Sequence, residues 1–239
     1  MAPPSQHALP GSNRLLTLLP RDDHARIFAD LEEIRLDRKQ ILARPDEPYS
    51  HVLFPILGVV SVLVPMGEEQ SVEAAVIGFE GMVGVPVVLG ADRGPHEVIT
   101  QVAGDAWRMP ARRFREHLGS SPTLRSVAQR YALTFINQTA RSSACNRMHE
   151  IHQRLARWLL LVHDRVDGNE FVLTQEYLSE MLGVRRPSVS LAARTLQQAG
   201  LIEYRWGRIR ILNRRGLEDV VCDDYRQTIA EYDSMFVPS

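Results

Sequence analysis

The spacing of hydrophobic residues changes twice along this chain. From residue 33 to residue 109, apolar residues gather in short β-prone runs at 33–36, 40–43, 51–54, 59–64, 72–77, 98–102 and 106–109. The separators are Asp37-Arg38-Lys39, the stretch 45–48, the stretch 55–58, Met66-Gly67 and Ala103-Gly104-Asp105. Many short strands at this spacing predict an antiparallel barrel or sandwich, not a parallel α/β sheet. A helical region at 15–31, broken at Pro20, precedes the runs, and a helix at 110–118 follows them. From 123 to about 147 there is neither Pro nor Gly. Leu124, Val127, Ala128, Tyr131, Thr134 and Phe135 recur there three and four apart, the stripe of one long amphipathic helix. That stripe suits pairing with a second copy or packing on the chain's own strands.

The last third is helical again, then β-prone. Leu155, Trp158, Leu159 and Val162 give residues 151–166 a core face, and Asp167-Gly168-Asn169 closes that helix. Thr174 offers a capping hydroxyl to a helix with Leu178, Met181 and Leu182 on one side, and Gly183 allows the tight exit. Pro187 fits the first turn of the next helix, with Val189, Ala192, Ala193 and Leu196 as its apolar face and Gly200 at its end. Helix, short Gly-containing turn, helix is the geometry that delivers a second helix to a DNA major groove. Two β-rich runs, 201–205 and 208–212, flank Trp206-Gly207 and predict a hairpin, placed where a wing would be. Between Arg185 and Arg215 eight arginines face one acid, Glu203, in a chain of net charge −1. A local excess of that kind is what phosphate backbones bind through counterion release.

The run LTQEYLSEMLGVRRPSVSLAARTLQQAGLIEYRWGRIRIL resembles the DNA-binding domain of the Crp/Fnr superfamily of bacterial transcription regulators. The order of elements upstream extends the resemblance to nearly the whole chain. It implies an α+β protein: an N-terminal antiparallel β-roll (a double-stranded β-helix, jelly-roll-like) of the cyclic-nucleotide-binding type, a long dimerisation helix, and a C-terminal winged helix-turn-helix. The corresponding divisions are a flexible tail at 1–13, the sensor at 14–121, the dimerisation helix at 122–148, and the DNA-binding domain with an extra C-terminal helix at 149–239. The family's cyclic-nucleotide binders carry a Gly-Glu and, downstream, an Arg-Ser/Thr-Ala. Here Gly81-Met82-Val83-Gly84 aligns with the first, and Pro95-His96-Glu97-Val98 with the second. Met82 and His96 replace the acid and the arginine, and Glu80 and Arg93 are the only nearby substitutes. The cassette Glu80, Gly81, Met82, Gly84, Arg93 and His96 therefore reads as degenerate, and its effector is unspecified.

By the same resemblance the expected partners are a pseudo-palindromic double-stranded DNA operator, a second copy of the chain and, if the protein activates, RNA polymerase. The DNA-contacting candidates are Thr174, Arg185, Arg186, Ser188, Ser190, Arg194 and Arg208. The family usually offers a Glu and an Arg from the second helix; Pro187 and Leu191 stand at those positions, so the family's best-known half-site does not transfer. A helix at 215–236, with Leu217, Val220, Val221, Tyr225, Ile229 and Tyr232 as its apolar side, is expected to pack on the winged domain.

Composition narrows the rest. No run approaches the ~20 apolar residues of a membrane span, the N-terminus lacks a signal-peptide pattern, and two cysteines make no disulfide framework, so a cytoplasmic protein is expected. Neither HExxH, nor a Gly-rich phosphate loop, nor GxSxG occurs, and no enzyme is predicted. Cys145, His149 and His152 would share one side of an unbroken helix, but without a fourth obvious ligand. No cofactor or metal is expected on that ground; a metal- or redox-responsive sensor built on these three is the alternative.

Overall fold

The computed structural model describes residues 12–67 and 71–236. Two short helices, α1 (Arg14–Thr17) and α2 (Arg21–Phe28), lead into a five-stranded antiparallel sheet of β1 (Glu32–Leu36), β2 (Ile41–Ala43), β3 (His51–Pro65), β4 (Ser71–Ile77) and β5 (Glu97–Pro110). The strand order is β1-β5-β3-β4, with β2 also on β5. One turn of helix, α3 (Val85–Val88), lies between β4 and β5. Helix α4 (Ala111–Ser120) then leads to the long α5 (Pro122–Met148). The tail expected at 1–13 falls largely outside the described residues. Its last residue is structural: Asn13 is buried, caps α1, and donates to the carbonyls of Pro55 (2.9 Å) and Gly81 (2.8 Å).

Seven predicted strands become five because two of the expected breaks are bulges. Residues 55–58 on β3 face 103–105 on β5, and the register slips between Pro55 and Leu57 and again before Val59. Gly104 makes this passable, since a Cβ there would overlap the Leu57 carbonyl oxygen. Two turn-like stretches placed opposite each other bend one long pair instead of ending it. The roll encloses Leu36, Val52, Phe54, Ile77, Met82, Met109 and Phe114, and α5 lays Leu124, Val127, Ala128 and Tyr131 over them.

After α5 the chain turns at His149 into α6 (Ile151–His163), whose Glu150 and Gln153 form a reciprocal cap. A strand not anticipated from the sequence, β6 (Glu170–Val172), is followed by α7 (Gln175–Leu182) and α8 (Arg186–Gln198). The hairpin β7 (Ile202–Arg205) and β8 (Arg208–Ile211) completes a sheet in the order β6-β8-β7. Leu155, Leu159, Val162, Leu178, Val189, Leu196, Ile202 and Ile209 make its core.

The C-terminal stretch corrects the expectation of one helix on the winged domain. It forms α9 (Arg214–Val220) and α10 (Asp223–Met235), parted at Val221-Cys222. Over its first half, α10 serves the winged domain, through Tyr225 and Ile229. Its far end returns to α5, where the Tyr232 hydroxyl donates to Gln138 Oε1 (2.7 Å), and Tyr232 and Met235 join the core of the roll.

Candidate nucleic-acid interface

Helix α7 starts where Thr174 Oγ1 accepts the Tyr177 N–H, and it stops at Gly183, whose φ of +61° is the left-handed exit. Val189, Ala192, Ala193 and Leu196 hold α8 to the core. The opposite face of α8 presents Arg186, Pro187, Leu191 and Arg194 to solvent, with Ser188 and Ser190 half-buried beside them. Leu191 is 65% exposed in spite of its apolar side chain. Trp206 and Gly207 take φ of +49° and +73°, a two-residue turn that matches strand twist and puts a wholly exposed Trp206 at the wing tip.

The basic patch is smaller than the run of arginines implied. Arg214 turns inward, donating to Asp164 Oδ1 (2.6 Å), Glu218 Oε1 (2.8 Å) and the Tyr225 hydroxyl (2.8 Å). Glu170, upstream of that run, pairs with both Arg208 (3.1 Å) and Arg210 (2.8 Å), and these cations hold its carboxyl below the usual range. Arg186 pairs with Glu176, and Arg205 with Glu203 (3.1 Å). All these pairs except those of Arg214 are solvent-exposed, so exchanging a carboxylate for a phosphate costs little. Of the seven DNA-contacting candidates, Arg185 stands at the N-cap of α8, Arg186, Ser188, Ser190 and Arg194 lie on it, and Arg208 lies on the wing; Thr174, exposed at the head of α7, is already engaged as a cap.

The sensor cassette is occupied by the protein itself. Glu80, the substitute acid, is buried and accepts from Arg165 Nε (3.0 Å) and Nη2 (2.7 Å) and from the Gly78 N–H (3.1 Å). Burial works against the Arg165 charge, but Glu80 overrides it and the guanidinium's pKa is raised. Met82 points into the core beside Leu16, Phe54 and Val127. Gly81 lies against Tyr131, whose hydroxyl would collide with a Cβ there. Gly84 closes the turn at φ +115°. Arg93, the substitute base, faces solvent and forks onto its neighbour Asp92 (3.1 and 3.2 Å). His96 is half-buried at the entry to β5. Glu80 and Arg93 are thus not brought together.

A second set of contacts across the roll and the winged domain was invisible in the sequence. Trp158 Nε1 donates to Glu73 Oε1 (2.8 Å) and Ser61 Oγ to Glu73 Oε2 (2.6 Å). The Tyr177 hydroxyl donates to Gln101 Oε1, and Ser71 Oγ to Glu180. Burial drives the Glu73 carboxyl up to about 7, against the hydrogen bonds from Ser61 and Trp158 and the charges of Arg157 and Arg165. Further along, the chain breaks its helix at His149, so Cys145, His149 and His152 do not share one helical face; His152 instead sits 3.8 Å from Glu150.

A β-roll joined by a long helix to a winged helix-turn-helix defines a two-part architecture. Residues 153–220 match the family model of the Crp-like helix-turn-helix domain. Over most of its length the chain superposes on a Crp/Fnr-family protein from Eubacterium rectale, with a TM-score of 0.68, 17% identity, and 86% of this chain and 96% of that one covered. It also resembles FixK2 from Bradyrhizobium japonicum (TM-score 0.65, 14% identity, 80% and 98% covered). A third likeness is to a mutant form of CooA from Carboxydothermus hydrogenoformans (0.61, 16%, 90% and 98%). The fold is that of Crp/Fnr regulators. No curated protein matches the sequence. No helix among the described residues is long and apolar enough to cross a membrane.

Proposed function

We propose that the protein is a homodimeric, sequence-specific DNA-binding transcription regulator whose β-roll takes no cyclic nucleotide. The observation that carries the reading is the outward face of α8, where Leu191 and Arg194 are exposed and Arg186 is paired with the solvated carboxylate of Glu176, while the inward face is buried. Arg186 suits a bidentate contact to guanine O6 and N7, and Leu191 suits a thymine methyl group. Arg185, Ser188, Ser190 and Arg194 are further base or phosphate contacts, and Thr174 and Arg208 phosphate contacts. Pairing two copies along α5 places two such helices about one turn of DNA apart, ~34 Å, on a pseudo-palindrome. RNA polymerase is a partner only if the regulator activates. Binding by Glu80 and Arg93 to a cyclic nucleotide is disfavoured, because the first is spent on Arg165 and the second on Asp92.

Selection of bound sequences from random duplexes, followed by footprinting on the winners, tests this. The expected product is a two-fold symmetric site whose affinity falls as salt rises. Indifference to sequence, or a footprint without symmetry, would defeat it.

A further inference from the structure

We propose that Cys145, His149, Cys222 and Asp224 form a binding site for a divalent transition-metal ion of the zinc class, clamping the foot of α5 to the junction of α9 and α10. Each side chain offers one ligand atom, and all four atoms lie within 4.8 Å of one another. The two sulfurs are 3.6 Å apart, and His149 Nδ1 is 3.3 Å from Asp224 Oδ2. Tetrahedral zinc, with sulfur at ~2.3 Å and nitrogen or oxygen at ~2.0–2.1 Å, has ligand-to-ligand edges of about 3.4–3.8 Å. Two of the observed edges are therefore already near that length, and the longest needs to close by about 1 Å.

Two further observations point the same way. His149 Nδ1 and Asp224 Oδ2 are sealed from solvent, face each other, and make no hydrogen bond, which leaves two buried polar atoms that a cation between them would satisfy. Cys145 and Cys222 are buried and not bridged to each other, and the thiolate is the form that binds metal. On binding, each thiol gives up its proton to solvent. A dication held by two thiolates and one carboxylate then carries a single net negative charge, and two guanidinium groups from α6 reach the helix segment around Cys145: Arg157 donates to Ser142 (3.2 Å) and Arg154 to Asn146 (3.1 Å).

Mixed sulfur and imidazole ligands favour zinc over magnesium or calcium, and four protein ligands make a closed, structural site instead of a catalytic one. Its place in the fold gives it a consequence. Cys145 and His149 end the helix that should carry the dimer, whereas Cys222 caps α10 and Asp224 lies in its first turn. Metal at this point fixes the hinge from which the winged domain hangs. The inference does not depend on the DNA-binding reading.

The test uses the full-length protein, reduced, stripped with a chelator and titrated with Co²⁺ and then Zn²⁺. One Co²⁺ per chain is expected, with a near-ultraviolet thiolate-to-cobalt band and the visible bands of tetrahedral cobalt, both bleached by Zn²⁺. Cys222→Ser should lose at least half of the thiolate band. Asp224→Asn should keep the band but weaken Co²⁺ binding tenfold or more, and His152→Ala should change neither. Circular dichroism establishes that each variant is folded; if Cys222→Ser is not, the wild-type titration and Asp224→Asn still decide. A reduced wild-type protein that takes up Co²⁺ without a thiolate band, or takes up none, overturns the proposal. So does a band that survives Cys222→Ser undiminished.

Discussion

Arg186 leaves α8 in its first turn, exposed, with only the solvated carboxylate of Glu176 as a partner. Arg208 lies on the wing beside Glu170, also exposed. The two should therefore answer differently to removal. Arg186→Ala is expected to relax preference at one base pair in each half-site, where a bidentate arginine is worth roughly 1–3 kcal/mol of discrimination. Arg208→Ala should weaken all sequences alike and lower the salt slope by about one unit for each phosphate no longer neutralised. Fluorescence anisotropy on a panel of single-base operator variants at two salt concentrations separates these outcomes. A uniform loss for Arg186→Ala would show it to be a phosphate clamp. Glu73 sets a second residue-scale expectation. Its carboxyl titrates near 7 in the folded protein against an ordinary value of 4.5, so the folded state holds the proton more tightly. The stability it contributes is full below pH 4.5 and is lost as pH rises through 7, by at most about 1.4 kcal/mol per pH unit. Arg157 and Arg165 moderate that loss, and the neighbouring Tyr177 phenol stays neutral because burial raises its pKa. Thermal unfolding should thus occur at a lower temperature at pH 8 than at pH 6, and Glu73→Gln should flatten the difference. An unchanged slope in the variant would place the titration elsewhere.

At the scale of elements, the stripe legible in α5 takes the second of its two roles, packing on the chain's own strands, and is not available to a second copy. Leu124, Val127, Ala128, Tyr131 and Thr134 are all buried against the chain's own roll and α10. Leu133 and Ile136, 60% and 52% exposed, continue along the other side through Ala140 and Ala144, a narrow seam of apolar and small residues. Introducing Asp at both Leu133 and Ile136 should yield a monomer in sedimentation velocity at micromolar concentration, with the roll still folded. Tyr131→Ala should do the reverse: it keeps the seam and costs about 3–5 kcal/mol of stability, as loss of a buried aromatic does. A dimer that persists with both aspartates would remove α5 from the interface.

Across the whole molecule, the roll and the winged domain are joined by buried polar contacts. The Arg165–Glu80 pair has both side chains almost wholly enclosed, and Gly78 is what lets the arginine lie flat, since a Cβ there would be 2.5 Å from Arg165 Cδ. Removing one partner strands the other charge in a dry site, which costs about 3–5 kcal/mol. Glu80→Ala should accordingly lower the thermal midpoint and speed proteolytic cutting at the α5–α6 hinge. The same pairing predicts that cyclic AMP and cyclic GMP leave the wild-type midpoint unmoved. Saturable micromolar binding of either nucleotide by calorimetry would show that Arg165 gives way and that the cassette is live.

Local signals were sufficient wherever the physics is local. The cap at Thr174, the left-handed exit at Gly183, Pro187 in a first turn, and the spacing of Val189, Ala192, Ala193 and Leu196 act within one or two helical turns, and the helix-turn-helix follows from them alone. The wing is legible for the same reason, because Trp206-Gly207 needs only its own backbone to turn. The β-roll was legible as a class but not in its strand count, since whether Pro55 and Gly104 end strands or bend them depends on which stretch lies opposite. Packing decided everything that joins distant residues. Glu80 meets Arg165 across 85 positions, Cys145 meets Cys222 across 77, and Tyr232 meets Gln138 across 94. At such separations neither periodicity nor propensity acts; the partner is selected by the burial of apolar surface, which then obliges the enclosed polar groups to find one another.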